Sequence, residues 1–260
     1  MRVIGVRRDD VFSPNCVEKD RAILQQTLDI LRSEGWTTTL LDESKLSSAD
    51  KADLYLSMAR SKPALDVLNA LEHEGRRVIN RSVGVGNCQR SQLEKLMRKQ
   101  GIPMPPENTG DGYWLKRGDA AAQSKDDVVY CRDENSLQKA IEVFHSRGIE
   151  DYVVSAHVRG DLLKFYGVTD GFFRYFYPTD DGDTKFGDEE LNGRAHHFPF
   201  CEDDLRTDVE RLARIVGLDI YGGDAIVNVQ GEYFIIDFND WPSFSRCRAE
   251  AAKAIAQLAY

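Results

Sequence analysis

From its amino terminus, the chain alternates between two hydrophobic rhythms. Residues 3–6 form a short apolar run of strand type, and residues 19–35 carry Ile23, Leu24, Leu28 and Leu31 at helical spacing before a stop at Gly35. Residues 37–41 are β-branched and apolar and predict a second strand, and residues 53–58 predict a third. A helix is expected over 63–74, with Pro63 suited to its first turn, and residues 78–80 read as a fourth strand. This βαβα order predicts a small parallel sheet within residues 1–80. The first strand ends in Arg7-Arg8-Asp9-Asp10, at the edge where open α/β sheets tend to bind ligands; a solvated charged loop has the same composition.

Beyond residue 80 the pattern becomes mixed. A helix over 89–100 is followed by Gly101-Ile102-Pro103-Met104-Pro105, a glycine stop and then an extended, proline-bearing segment. Tyr113-Trp114-Leu115-Lys116 and residues 126–131 predict two strands, and 136–147 an amphipathic helix through Leu137, Ile141 and Phe144. Residues 152–158 and 162–168 read as two further strands, 203–216 as a helix and 246–258 as a closing helix. Residues 179–194, rich in Asp, Gly and Glu, read as either a disordered segment or a lid over a substrate. His196 and His197 follow, but neighbours on an extended chain face opposite ways and make a poor metal pair.

The densest chemistry lies near the carboxyl end. Gly222-Gly223-Asp224-Ala225-Ile226-Val227 and Tyr233-Phe234-Ile235-Ile236-Asp237-Phe238-Asn239 predict a hairpin turning at Gln230-Gly231. Asp237 and Asn239, two apart, share a face, and Asp224 can lie opposite them across the hairpin. Three oxygen donors on one face suit a hard cation such as Mg²⁺. A solvated strand face would also alternate polar residues, but Ile235, Ile236 and Phe238 set these acids in an apolar segment, where an uncompensated carboxylate is costly.

This hairpin, with Pro242 shortly after it, resembles the metal-binding end of the ATP-grasp superfamily, which includes D-alanine–D-alanine ligase, glutathione synthetase and the glutamate ligases of ribosomal protein. Features upstream follow the same order over about residues 78–245: Val78-Ile79-Asn80, the helix before Gly101-Ile102-Pro103, and the strand ending in Lys116. The resemblance implies an α/β protein with α+β lobes: an ATP-grasp fold behind an N-terminal pre-ATP-grasp βαβα domain. The expected divisions are residues 1–80 and 81–260, the latter split into a nucleotide lobe over 106–157 and a metal lobe over 158–260. It implies that Arg90 and Lys116 contact nucleotide phosphates, and that Ser155, Ala156, His157 and Val158 form the hinge beside adenine. Asp224, Asp237 and Asn239 become the metal set for Mg²⁺, with Mn²⁺ as the alternative ion. Lys164 takes the place of a residue that steadies an acyl phosphate, and Arg194 that of a substrate anchor. Three positions depart from the commoner pattern: Arg90 for Lys, Ala156 for Glu, and a loop at 118–125 with a single glycine.

The implied activity is ATP- and Mg²⁺-dependent joining of a small-molecule carboxylate to an amine. A kinase of the inositol-phosphate type and a nucleotide-binding module without catalysis are the alternatives. Composition narrows the partners. A net charge of −9 argues against nucleic acid or an anionic membrane as the primary partner, and a heavily phosphorylated kinase substrate fits it poorly. Five scattered cysteines without a CxxC pair suggest reduced thiols, and together with the lack of a signal segment or long apolar span predict a cytoplasmic protein.

Overall fold

The computed structural model describes residues 1–119, 125–181 and 193–260. Residues 120–124 of the single-glycine loop and 182–192 of the polar stretch, read as a disordered segment or a lid, therefore fall outside the described residues. Four strands, β1 (Arg2–Arg7), β2 (Thr37–Asp42), β3 (Leu54–Ser57) and β4 (Arg77–Ile79), form an all-parallel sheet in the order β2-β1-β3-β4. Helix α1 (Val17–Ser33) links β1 to β2, and α2 (Lys62–His73) links β3 to β4. The apolar stripe that predicts α1 is the one it buries: Ile23, Leu24, Leu28 and Leu31. A short helix, α3 (Ser82–Asn87), was not legible in the pattern, because Gly84 and Gly86 lower its helix propensity. Helix α4 (Arg90–Gln100) follows and stops at Gly101, which adopts φ 61°, a left-handed conformation open to glycine at little cost.

A small antiparallel sheet comes next, in the order β6-β5-β7: β5 (Tyr113–Arg117), β6 (Val128–Cys131) and β7 (Tyr152–Ala156). One face packs on α5 (Glu134–Ser146), burying Tyr113, Leu115, Cys131, Leu137 and Phe144. Strand alternation turns Trp114 and Lys116 to the other face. There the Trp114 indole N–H donates to Nδ1 of buried His157 at 3.2 Å, with the Tyr130 ring 5.4 Å from each.

The third sheet is antiparallel, in the order β11-β10-β8-β9: β8 (Asp161–Val168), β9 (Phe172–Phe176), β10 (Ile220–Val227) and β11 (Tyr233–Asp240). The aromatic edge strand β9 is an addition to the predicted elements, and the short α6 (Pro178–Asp181) follows it. Helix α7 (Glu202–Val216) covers one face, placing Leu205, Val209, Leu212 and Val216 against Leu163, Phe165, Ala225 and Phe238. The closing helix α8 (Arg248–Gln257) folds back over α1. Its Ala251, Ala252, Ile255 and Ala256 share one buried cluster with the α1 stripe and with Tyr166, Val168, Phe172 and Ile220 of the third sheet. Buried Asn80, just after β4, adds a polar tie: its amide donates to the Ile220 carbonyl at 2.6 Å and accepts from the N–H groups of Asp219 and Ile220. Among the described residues, no helix is long and apolar enough to cross a membrane.

Two tests follow from this packing. Ile255→Ala, at a fully buried position between the parallel unit and the third sheet, should lower unfolding free energy by about 2–5 kcal/mol in a urea titration. A loss within error would mean α8 is not part of the shared core. For His157, burial holds the imidazole below its ordinary value, and protonation would also end acceptance from Trp114. The unfolded chain then binds the extra proton near pH 6.5 while the folded one does not, so stability falls as pH drops through that value. Melting of the wild type between pH 7.5 and 5.5 should decline more steeply than that of His157→Gln, and an NMR titration should place His157 below 6.5. Equal slopes would refute the buried neutral state.

Candidate active site

The β10–β11 hairpin closes on Asn228, whose Oδ1 accepts from the N–H groups of Gln230 (3.0 Å) and Glu232 (2.9 Å). From that turn the register brings Asp224 opposite Asp237 on one side and opposite Lys164 of β8 on the other. Three charged residues therefore stand in one row across three strands. The register slips at this point: Ala225 pairs with Ile235 while Asp224 pairs with Asp237, so Ile236 is an extra, bulged residue. The bulge explains how Ile235 and Phe238, three apart, both reach the α7 side while Asp237 stays on the opposite one. Gly223 permits the approach of the strands, since a Cβ there would lie 2.1 Å from the Asp237 carbonyl oxygen.

The row is laced by specific bonds. Lys164 Nζ lies 2.7 Å from Asp224 Oδ1, and the Asn239 amide donates to Asp237 Oδ2 at 2.9 Å. Lys116 crosses from the small sheet and donates to the bulged Ile236 carbonyl at 3.0 Å. Burial opposes ionisation of Asp237, but Arg90 and Lys116, helped by the Asn239 amide and Lys164, hold its carboxyl below the usual range. Burial likewise works against the Lys164 ammonium, and Asp224 more than reverses this, so Lys164 is raised. Lys116 is the exception: burial lowers it, and Asp237 offsets only part of that cost. The structure thus gathers Arg90, Lys116, Lys164, Asp224, Asp237 and Asn239 into one constellation.

The donor set fits a hard divalent cation. Asp224 Oδ2, Asp237 Oδ1 and Asn239 Oδ1 are left without a protein hydrogen-bond partner among the described residues. Two carboxylates and one amide oxygen match Mg²⁺, which takes few protein ligands and completes its shell with phosphate and water oxygens. Among the described residues no three His, Cys, Asp or Glu side chains group to hold a metal, and the set here relies on the Asn239 amide oxygen beside its two carboxylates.

The remaining expected residues lie as follows. Arg90 opens α4, donates to the Arg117 carbonyl at 3.0 Å, and keeps a buried Nε without a partner. Ser155 pairs with Trp114 in the small sheet, on the face that carries Lys116. The N–H groups of Ala156 and His157 are committed to the carbonyls of Pro106 (3.4 Å) and Gly112 (2.8 Å), and the His157 carbonyl accepts from Thr109. Val158 is buried directly after them. Arg194 is exposed and forms no ion pair among the described residues; the structure does not join it to the row. His196 and His197 lie outside any strand, with His197 at φ 55°, and turn toward Asp161 (3.5 Å) and Asp180 (3.2 Å) respectively.

Several contributors escaped the sequence reading. Asp240, directly after Asn239, is buried and paired with Arg60 at 2.6 Å, and Arg8 of the Arg7-Arg8-Asp9-Asp10 segment reaches the same carboxylate. Tyr166, two residues beyond Lys164, is buried, and burial raises its phenol. Alternation from Lys164 could have found Tyr166 and from Lys116 could have found Trp114. Nothing in local pattern links Arg60 to Asp240, 180 residues apart.

No family model matches this sequence, and no curated protein matches it by sequence. Solved structures do match by shape. D-alanyl-alanine synthetase A from Vibrio cholerae superposes with a TM-score of 0.68 at 13% identity, covering 99% of this chain and 96% of the synthetase. The RimK domain protein ATP-grasp from Sphaerobacter thermophilus gives 0.66 at 15% identity, covering 99% and 98% of the two chains. The ATP-grasp ligase PsnB, complexed with minimal precursor, Mg and ADP, gives 0.62 at 15% identity with 99% and 98% coverage. With three sheets in this arrangement and near-complete overlap with such ligases, the chain has the ATP-grasp fold.

Proposed function

We propose that this protein is an ATP- and Mg²⁺-dependent ligase that joins a small-molecule carboxylate to an amine through an acyl phosphate. The observation that carries the reading is the row Lys164–Asp224–Asp237, capped by Asn239 and faced by Lys116 and Arg90. It offers oxygen donors for a cation beside three cations for phosphate, and that is what phosphoryl transfer needs from a protein. In the proposed reaction a carboxylate oxygen attacks the γ-phosphorus and ADP leaves. The amine nitrogen then attacks the acyl carbon, inorganic phosphate departs, and the nitrogen loses its proton.

Each residue has a role in that scheme. Lys116 and Arg90 neutralise phosphate oxygens, and the lowered proton affinity of Lys116 is restored when an anion arrives beside it. Lys164, held charged by Asp224, steadies the acyl phosphate. Asp224, Asp237 and Asn239 would hold Mg²⁺, which when bound neutralises charge on the transferring phosphate. Residues 155–158 would border the adenine beside Trp114 and Tyr130. Arg194, exposed and outside the ion pairs of the described residues, would serve as a substrate anchor. The similarity to ligases, including D-alanine–D-alanine ligases, supports amide formation as the product chemistry.

Asp237→Ala or Asn239→Ala should abolish ADP release from a carboxylate–amine panel while leaving the melting temperature close to wild type. Wild-type turnover in either variant would refute the metal assignment. Product analysis of the native enzyme should find an amide with ADP; a phosphate ester would redirect the reading to a kinase. Lys116→Met should weaken binding of a non-hydrolysable ATP analogue with Mg²⁺ by roughly 1.5–3 kcal/mol in calorimetry, the scale of a lost charged hydrogen bond. Unchanged affinity would remove Lys116 from the nucleotide site.

A further inference from the structure

The strand that carries Asp237 and Asn239 ends in Asp240, whose side chain alternation directs to the opposite side. Asp240 is 3% exposed and is gripped edge-on by Arg60: Nη2 lies 2.6 Å from Oδ1, and Nε 3.4 Å from Oδ2. Arg60 also reaches the Asp240 carbonyl at 3.5 Å. Arg8, 5% exposed, donates to the Trp241 carbonyl at 2.7 Å and stands 3.6 Å from Asp240 Oδ2. The two arginines come from loops at the carboxyl ends of β1 and β3. Glu43, 2% exposed, ties those loops together, accepting from the Asp9 N–H on one oxygen and from the Arg60 and Ser61 N–H groups on the other. Asp20, bonded by Ser13, backs Arg8 from behind at 3.9 Å.

We propose that Arg60 and Arg8 are positioning residues for the metal set: through Asp240 and the carbonyls beside it they fix the end of β11, so that Asp237 and Asn239 keep their placement against Asp224. The proposal rests on the Mg²⁺ reading given above. Its physical basis is the choice of interaction. Apolar side chains would hold these two parts of the molecule together at lower desolvation cost than buried ions. A planar guanidinium on a carboxylate fixes direction as well as distance, and here it grips the main chain of the strand too. The clamp begins one residue from Asn239, so any rotation it permits passes directly to the metal donors.

The test uses the full chain and Mn²⁺ as the probe, titrated by electron paramagnetic resonance in the presence of ADP. Arg60→Lys keeps the charge but loses the fork. It should melt cooperatively, bind ADP alone as wild type does, and bind Mn²⁺ with ADP roughly 10–100-fold more weakly, the scale of lost support behind metal ligands. The double variant Arg60→Met with Asp240→Asn removes both partners, leaves no orphaned charge from the pair, and should show the same selective loss. Wild-type Mn²⁺ affinity in either folded variant overturns the positioning role, as does failure of both to fold, which would assign the clamp to stability alone. Failure of the wild type itself to bind Mn²⁺ with ADP would sink the underlying metal reading, a distinct result from equal binding by wild type and variants.

Discussion

Two carboxylates, Asp224 and Asp237, face each other on adjacent strands of a largely apolar sheet, and much of the structure around them answers the charge they create. Like charges in register destabilise a strand pair unless something compensates. Lys164 compensates from β8, in the same register row, and Lys116 and Arg90 compensate from outside the sheet. The compensation is incomplete by design of the geometry, because three side-chain oxygens keep no protein partner among the described residues. A site balanced by cations but with free oxygen donors is suited to exchange protein charge for a metal and phosphates.

The bulge at Ile236 converts this electrostatic arrangement into a link between sheets. An unbroken ladder would alternate Ile235, Ile236, Asp237 and Phe238 strictly across the two faces. The extra residue lets both Ile235 and Phe238 serve the α7 core and releases the Ile236 carbonyl to Lys116. The same atom contact therefore ties the small sheet to the large one and sets a lysine beside Asp237. The overall charge of −9 hides this, because the cations Arg90, Lys116 and Lys164 are grouped at one half-buried row.

The parallel unit contributes more than a platform. Its sheet-end arginines reach β11, its helix α1 shares a core with α8, and Asn80 fastens the start of β10. Ligand sites in open α/β sheets lie at the carboxyl ends of strands. Here those ends are filled by ion pairs to another part of the chain, which turns the Arg7-Arg8-Asp9-Asp10 segment from a solvated loop into a structural contact.

Local periodicity was enough to find most elements. The α1 stripe, the helices α4, α5 and α7, and the hairpin all follow from side-chain spacing, because a 3.6 or 2.0 repeat is imposed by backbone geometry wherever one face is buried. The grouping of Asp224, Asp237 and Asn239 was legible for a similar reason: polar residues two apart on a strand share a face, and acids in an apolar run need partners. The short α3 was hidden by its glycines and β9 by the lack of any alternation in an aromatic run. What sequence alone determined, then, was the type of most elements and which of their side chains share a face. Only the tertiary structure decided the bulge at Ile236, the pairing of Lys164 with Asp224, and the burial of Asp240 under Arg60 and Arg8. Those depend on register and on contacts between residues far apart in the chain, and neither is encoded in the spacing of neighbours.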